Sequence, residues 1–447
     1  MRTPIADFVR TYADSHTSRL HMPGLKGAGP LGFEKFDITE IAGADALYEA
    51  DGLIAESEQH ASQLFGTQRT LYSTEGSSQC IRAMLYLAIT QRPKSSTRTI
   101  LAARNVHKAF VYAAALVDFD VEWLWPIENS SSLCACPVSP ALLETALGNM
   151  EAPPAAVYMT SPDYLGGMQD ISALAEICHK HGTILIVDNA HGAYLHFCFP
   201  AMHPMDLGAD ICCDSAHKTL PVLTGGAYLH ISKNLPAVYA DNAKQAMVLF
   251  GSTSPSYLTL CSLDMCNAYI ADGYREKLRA TVENINVLCA KLIHNGWQVS
   301  HDEPLKLTIH ASACGMTGSA LADRLRENGV ECEFADTDDL VLMITPENTP
   351  EDLEKVFWAA GNPDNEPAAR MPLPVSKAVR AMSIREAFFA PHETVPASSC
   401  EGRICAAPTV ACPPAIPIAV SGEVISAEMA ELFRKYGVEN VEVIKQS

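Results

Sequence analysis

Positive charge is scarce in this chain: Lys and Arg total 32 against 52 for Asp and Glu, a net charge of −20. That balance disfavours binding along a phosphate backbone and weakly attracts cationic ligands, so no nucleic-acid partner is expected. Long hydrophobic runs are missing as well. No stretch reaches the ~18 apolar residues of a membrane-crossing helix, and the segment from Met1 to Arg10 lacks the apolar core of a signal peptide. A soluble, cytoplasmic protein without a membrane partner is expected. Cys-x-x-Cys is absent although there are 15 cysteines. These are scattered and odd in number, Cys134-Ala-Cys136 has the wrong spacing for a zinc knuckle, and His179-Lys-His181 falls at a helix end without carboxylate or cysteine company. Free thiols in a reducing compartment and no metal site are the consequence. No internal repeat or low-complexity tract interrupts an ordinary globular composition, 48% hydrophobic and 19% charged.

What is present is alternation. From about residue 46 to 270 the pattern predicts helices over Ala55–Gly66, Ser77–Ile89, His107–Leu116 and Ile171–His181. Between them it predicts strands over Thr99–Ala103, Ala156–Thr160, Ile184–Val187, Ile211–Cys213 and Gly225–Ser232. Strand then helix, repeated, argues for an α/β fold with a mostly parallel sheet covered on both faces and right-handed crossovers. A long helical pattern from Leu260 to Trp297 leads to a smaller α+β unit. Its strands are expected at Leu305–His310, Val330–Phe334 and Leu340–Ile344, with helices at Gly318–Asn328 and from Thr349 onward. Residues 361–367 read as a linker, and 396–422 as irregular chain before a last helix over Ala427–Tyr436.

Two residues of the larger unit suggest a cofactor. Lys218 closes the run Asp210-Ile-Cys-Cys-Asp-Ser-Ala-His-Lys, in a short and otherwise apolar setting where an amine is either solvated or shifted and used. Asp188 ends the apolar run Ile184-Leu-Ile-Val, so its carboxylate belongs at the carboxyl edge of the sheet, where open α/β folds place ligands. Together they supply a Schiff-base amine and a partner for a pyridinium nitrogen, the pair that pyridoxal 5'-phosphate needs to act as an electron sink. Taken singly, a surface-loop lysine and a helix-capping aspartate are the plain alternatives. Ser77 and Ser78, at the start of a predicted helix, offer hydroxyls, backbone N–H groups and the helix dipole to a phosphate, with Ser215 a further donor. His107, at a strand-to-helix junction, is placed to stack on a pyridine ring, although a lone histidine there is commonly a cap or a satisfied core residue.

In combination these segments resemble the Orn/Lys/Arg decarboxylase family in its shorter form. The resemblance runs over nearly the whole chain and rests on His21-Met-Pro-Gly24, Gly76-Ser-Ser78, Arg104-Asn-Val-His107, Asp188-Asn-Ala-His191, Ser215-Ala-His-Lys218 and Ser252-Thr-Ser-Pro-Ser-Tyr257. Further towards the C-terminus it rests on Met382-Ser-Ile-Arg385-Glu386, Glu401-Gly-Arg403 and Pro413-Pro-Ala-Ile-Pro417. It implies a fold-type I (aspartate aminotransferase-like) large domain over 46–270, after an N-terminal arm over 1–45. A small α+β domain over 271–362 and a C-terminal region over 363–447 follow. It further implies Lys218 as the lysine that carries pyridoxal 5'-phosphate, Asp188 as partner of the ring nitrogen, and His107 as the stacking histidine. Ser77, Ser78 and Ser215 become phosphate ligands, and His191 and His217 neighbours of the reacting bonds. Ser254 reaches the phosphate of a neighbouring subunit, since such active sites are shared across a homodimer or larger assembly. The implied activity is decarboxylation of a basic amino acid, arginine ahead of lysine or ornithine, with Glu386 and Glu401 as candidates for holding its cationic tail. One departure stands out: Leu25 occupies a position where the family carries a second histidine. An elimination or aldol cleavage would keep Lys218 and Asp188, and a non-catalytic cofactor-binding regulator is a third alternative.

Overall fold

A computed structural model describes residues 1–125, 132–365, 368, 373, 377–408 and 416–446. The chain divides into two compact units, residues 1–93 with 184–278, and residues 94–183 with 279–447. In chain order the principal strands are β1 (Arg69–Ser73), β2 (Thr99–Ala103), β3 (Asp120–Leu124), β4 (Ala156–Thr160), β5 (Ile184–Asp188), β6 (Ile211–Asp214) and β7 (Ala227–Ile231). The helices that bear on the argument are α1 (Pro4–Asp14), α2 (Leu53–Leu64), α3 (Ser77–Gln91), α4 (Lys108–Val117), α5 (Pro140–Gly148) and α6 (Ile171–Lys180). This is the mostly parallel α/β arrangement that the alternation predicts.

In the first unit the strands hydrogen-bond in the order β1-β7-β6-β5. β5 and β6 run parallel with Asp188 opposite Cys213, and β7 returns antiparallel to both β6 and β1. Ile186 and Val187 are fully buried, as a strand covered on both faces requires, and its sequence is accordingly an unbroken apolar run rather than an alternation. α2 ends where Gly66 takes a left-handed φ of +66°, a conformation that costs glycine nothing. The expected long helix after Leu260 is two helices, Tyr257–Ala271 and Tyr274–His294, because Gly273 at φ +72° breaks the ladder between them. α1, which the sequence pattern did not predict, is tied down where the Ala6 N–H donates to Asp264 Oδ2 at 3.0 Å.

The second unit carries β4-β2-β3, all parallel, and a four-stranded antiparallel sheet of Val299–Ser300 (β8), Lys306–Ile309 (β9), Phe334–Ala335 (β10) and Leu340–Met343 (β11). The strand expected from Val330 shrinks to Phe334–Ala335. Gly329 at φ +70° and the Val330 N–H, which donates to Leu325 O at 2.9 Å, are spent on closing the helix Gly318–Glu327. Among its described residues the stretch read as irregular over 396–422 carries, past a strand that ends at Pro396, only a short helical turn at Ala397–Ser399 and isolated bridges. Just before it His392–Pro396 pairs with Asn440–Ile444, and Cys400, Cys405, Ile418, Phe433, Val441 and Val443 share one buried cluster. No disulfide joins the described cysteines. Residues 126–131 and 413–415, the latter within one of the motifs quoted above, lie outside the described residues.

Candidate active site

The first unit gathers most of the predicted residues on two loops and one helix start. Asp188 is the last residue of β5 and is buried to 3% exposure. Its Oδ1 accepts from the Ala190 N–H at 3.2 Å and lies 3.6 Å from the Cys213 Sγ that the sheet register sets opposite it. Burial pushes the Cys213 thiol well above its ordinary value, so it stays an S–H group facing the carboxylate. Three residues further on, His191 is 5% exposed, and its Nε2 is 3.0 Å from the half-buried Lys218 Nζ. Lys218 itself lies in the single helical turn Ala216–Thr219 that follows β6.

Gly76 and Gly225 shape the third part. The Gly76 N–H donates to Gly225 O at 2.7 Å. Gly225, at φ +94°, has no room for a side chain, since an added Cβ would sit 2.7 Å from Thr74 O. α3 begins immediately after Gly76, so the free N–H groups of its first turn and the positive end of its dipole face outward there. The Ser77 hydroxyl accepts from the Ser215 hydroxyl at 2.8 Å, and Ser78 is half-buried beside it. A Cβ built on Gly76 would meet no atom within 4 Å, so open space lies before this helix start. An amine, a buried acid at a strand end, and hydroxyls at a helix N-terminus bordering open space are the donor set that a pyridoxal phosphate requires. The residues present fit that group.

His217 has a different local role: its backbone N–H donates to Gly226 O at 3.1 Å, and its Nδ1 lies 3.0 Å from the same oxygen. Ser254 is exposed, with its N–H on Ser252 Oγ at 3.1 Å. His107 belongs to the second unit, where it caps α4, Nδ1 accepting from the Ala109 N–H at 3.1 Å. Capping thus occurs as one of the alternatives read from its position. Glu386 closes a capping box with Ser383, accepting from its N–H at 2.9 Å and its hydroxyl at 2.7 Å. Glu401 is exposed in a turn, and so is Leu25 at 40%. At the end of α6 the carboxylate company missing from the local sequence arrives from α5: Glu144 Oε1 is 2.6 Å from Lys180 Nζ and 3.2 Å from His181 Nε2.

Sequence reasoning missed one cluster altogether. Asp214, at the end of β6, accepts from Asn189, His203 and His230, and all four residues are fully buried. A histidine in the middle of the apolar strand Ala227-Tyr-Leu-His-Ile was the one available signal. Among the described residues, no helix is long and apolar enough to cross a membrane.

The family profile described as "Orn/Lys/Arg decarboxylase, major domain" matches residues 3–308. An arginine decarboxylase of Bacillus subtilis (strain 168) is 27% identical over 461 residues, covering 95% of this chain and 92% of that protein. Among solved structures, the lysine decarboxylase LdcF of Francisella novicida superposes with a TM-score of 0.80 at 16% identity, covering 99% of this chain and 81% of that one. A serine palmitoyltransferase of S. paucimobilis with a bound PLP–myriocin aldimine superposes with a TM-score of 0.52 at 15% identity, over 68% of this chain and 75% of the other.

Proposed function

The chain belongs to the Orn/Lys/Arg decarboxylase family, and we propose on that premise that it removes the α-carboxyl group of a basic L-amino acid, arginine ahead of lysine or ornithine, releasing the corresponding amine and CO2. The observation that carries this reading is the meeting of Lys218 Nζ with His191 Nε2 at 3.0 Å on the loops that follow β6 and β5, the latter loop starting from the buried Asp188. The name of the Bacillus subtilis relative supports arginine. Glu401 is the better candidate for the cationic tail, because Glu386 already spends its carboxylate on a helix cap.

When bound, pyridoxal 5'-phosphate supplies an electron sink for the pair left on the substrate's Cα as CO2 departs. Lys218 would hold its aldehyde carbon through Nζ, Asp188 its ring nitrogen, and Ser77, Ser78 and Ser215 its phosphate, with His107 against the ring. Asp188 favours a protonated partner because a buried carboxylate without a matching cation is costly. His191 keeps the Lys218 amine oriented through its Nε2 contact. His217 or Lys218 returns a proton to Cα. We assign the arm to 1–45, the cofactor-binding domain to 46–270, the small domain to 271–362 and the C-terminal region to 363–447. The exposed Ser254 would serve the site of a second subunit in a cytoplasmic homodimer.

Purified, cofactor-loaded protein should be yellow, carry a pyridoxyl tag on Lys218 after borohydride reduction, and release CO2 from at least one of arginine, lysine and ornithine. A tagged protein that eliminates or cleaves an amino acid without releasing CO2 would overturn the decarboxylase reading. A colourless, untagged one would overturn the cofactor assignment.

A further inference from the structure

The end of β6 holds an acid that this scheme does not use. Asp214 accepts from Asn189 Nδ2 at 2.7 Å, His203 Nε2 at 3.0 Å and His230 Nε2 at 2.9 Å. Burial alone would raise its carboxyl, but the two histidines on its oxygens bring it well below the usual carboxylate range. Burial holds the His230 imidazole below its ordinary value against the opposing pull of Asp214. The outer shell is filled as well. His203 Nδ1 accepts from the Met205 N–H at 3.2 Å, His230 Nδ1 meets Thr70 Oγ1 at 2.9 Å, and the Phe65 ring packs 4.7 Å from His230.

Among the described residues these three are the one group of His, Cys, Asp or Glu side chains spaced to ligate a metal, their ligand atoms lying within 4.8 Å of one another. The hydrogen bonds argue otherwise. Because His203 Nδ1 accepts from a backbone N–H, the ring proton sits on Nε2, pointing at Asp214, and that nitrogen has no lone pair to give. The cluster is closed by its own donors.

Its position is what matters. Asn189 follows Asp188 directly, and Asp214 directly precedes Ser215 in the run to Lys218. Asn189 makes two of the bonds that cross between these loops: its N–H donates to Cys213 O at 3.0 Å and its Nδ2 to Asp214 Oδ1 at 2.7 Å. The β5 loop is folded around the same side chain. The Gly192 N–H donates to Asn189 O at 2.8 Å, and a Cβ at Gly192 would fall 2.1 Å from Asn189 Oδ1, so only glycine lets the amide lie there.

We propose that Asn189 and Asp214 are positioning residues: their bridge, held in register by His203 and His230, locks the loop of Asp188 and His191 to the loop of Ser215 and Lys218. The proposal rests on the decarboxylase reading above for what the two loops carry. A loop free to shift by an ångström misplaces the amine against the acid, an error worth ~100-fold in rate.

Asn189→Ala leaves the Asp214–histidine cluster whole and is the variant expected to fold, with Asp214→Asn beside it. In the cofactor-free protein, hydrogen exchange measured by mass spectrometry should quicken in peptides covering 188–192 and 214–219 together, while β2 and β4 exchange as in wild type. In the holoenzyme, kcat should fall ~10- to 100-fold with KM within threefold, and borohydride tagging of Lys218 should slow. Unchanged exchange in both loops of a folded Asn189→Ala protein would overturn the proposal. So would kcat within twofold of wild type, or a stability loss spread evenly over the chain. Zn2+ that raised the melting temperature of wild type but not of His203→Gln would overturn the closed-cluster assignment. If wild type lacks decarboxylase activity the earlier reading fails, and the exchange measurement still decides this one.

Discussion

Each compact unit holds a fully buried charged cluster, and the two clusters are built in different ways. In the first unit a single carboxylate, Asp214, is surrounded by dipolar donors from Asn189, His203 and His230. In the second, Lys306 pairs with Glu303 at 2.7 Å, both side chains at 0% exposure, and the ammonium also donates to Asp163 O at 3.1 Å. The second cluster closes a turn: Thr308 Oγ1 donates to Leu165 O at 2.8 Å, so β9 grips the loop over 163–167 by two side chains. The difference is one of purpose. Opposite charges that cancel each other hold a loop in place, whereas Asp214 is held by donors from three other segments and accepts from Asn189, on the loop that starts at Asp188.

Mutations should separate the two regions. Asp188→Ala, beside the first cluster, is expected to lower kcat by ~10³-fold, about 4 kcal/mol, while cofactor is retained. Steady-state kinetics with a cofactor stoichiometry checks this, and near-normal turnover would remove Asp188 from the mechanism. Lys306→Met, in the second cluster, should instead cost about 3 kcal/mol of stability by stranding Glu303 without its cation. Urea unfolding reads that loss, and turnover per folded molecule should stay at the wild-type level. A fall in kcat with no loss of stability would erase the contrast.

The smallest effect is one of pH. Burial, opposed by the Gly167 N–H and Lys306, raises the Asp163 carboxyl from an ordinary 3.8 to about 6. Between those values the folded chain holds a proton that the unfolded chain has released. Its stabilising contribution is therefore complete below the unfolded value and lost as pH rises through about 6. Over that window wild type should lose on the order of 2 kcal/mol relative to Asp163→Asn. Parallel stability curves for the two proteins would show that the side chain does not titrate there.

Much of this molecule was legible before its fold was known. β2 and β4 run over the residues that the apolar pattern picked out, and the strand carrying Asp188 was one residue longer than expected. Those strands are buried on both faces, so their composition has no competing demand. The short edge strands at His392–Pro396 and Asn440–Ile444 escaped notice because half-exposed residues carry no comparable pattern. Lys218, Asp188 and the serines at the start of α3 were visible because each stands at an element boundary, where a polar residue against an apolar run is conspicuous.

By itself, then, the sequence determined the alternating architecture and the family and singled out Lys218 and Asp188 as candidates, since these depend on short-range periodicity and on motifs contiguous in the chain. Only the tertiary structure decided that Asp214 sits between His203 and His230, that Glu386 is a helix cap, and that Lys306 is neutralised inside the second unit. The physical reason is that a buried charge is stabilised by whichever donors the fold brings within 3 Å of it, and no spacing along the chain records that.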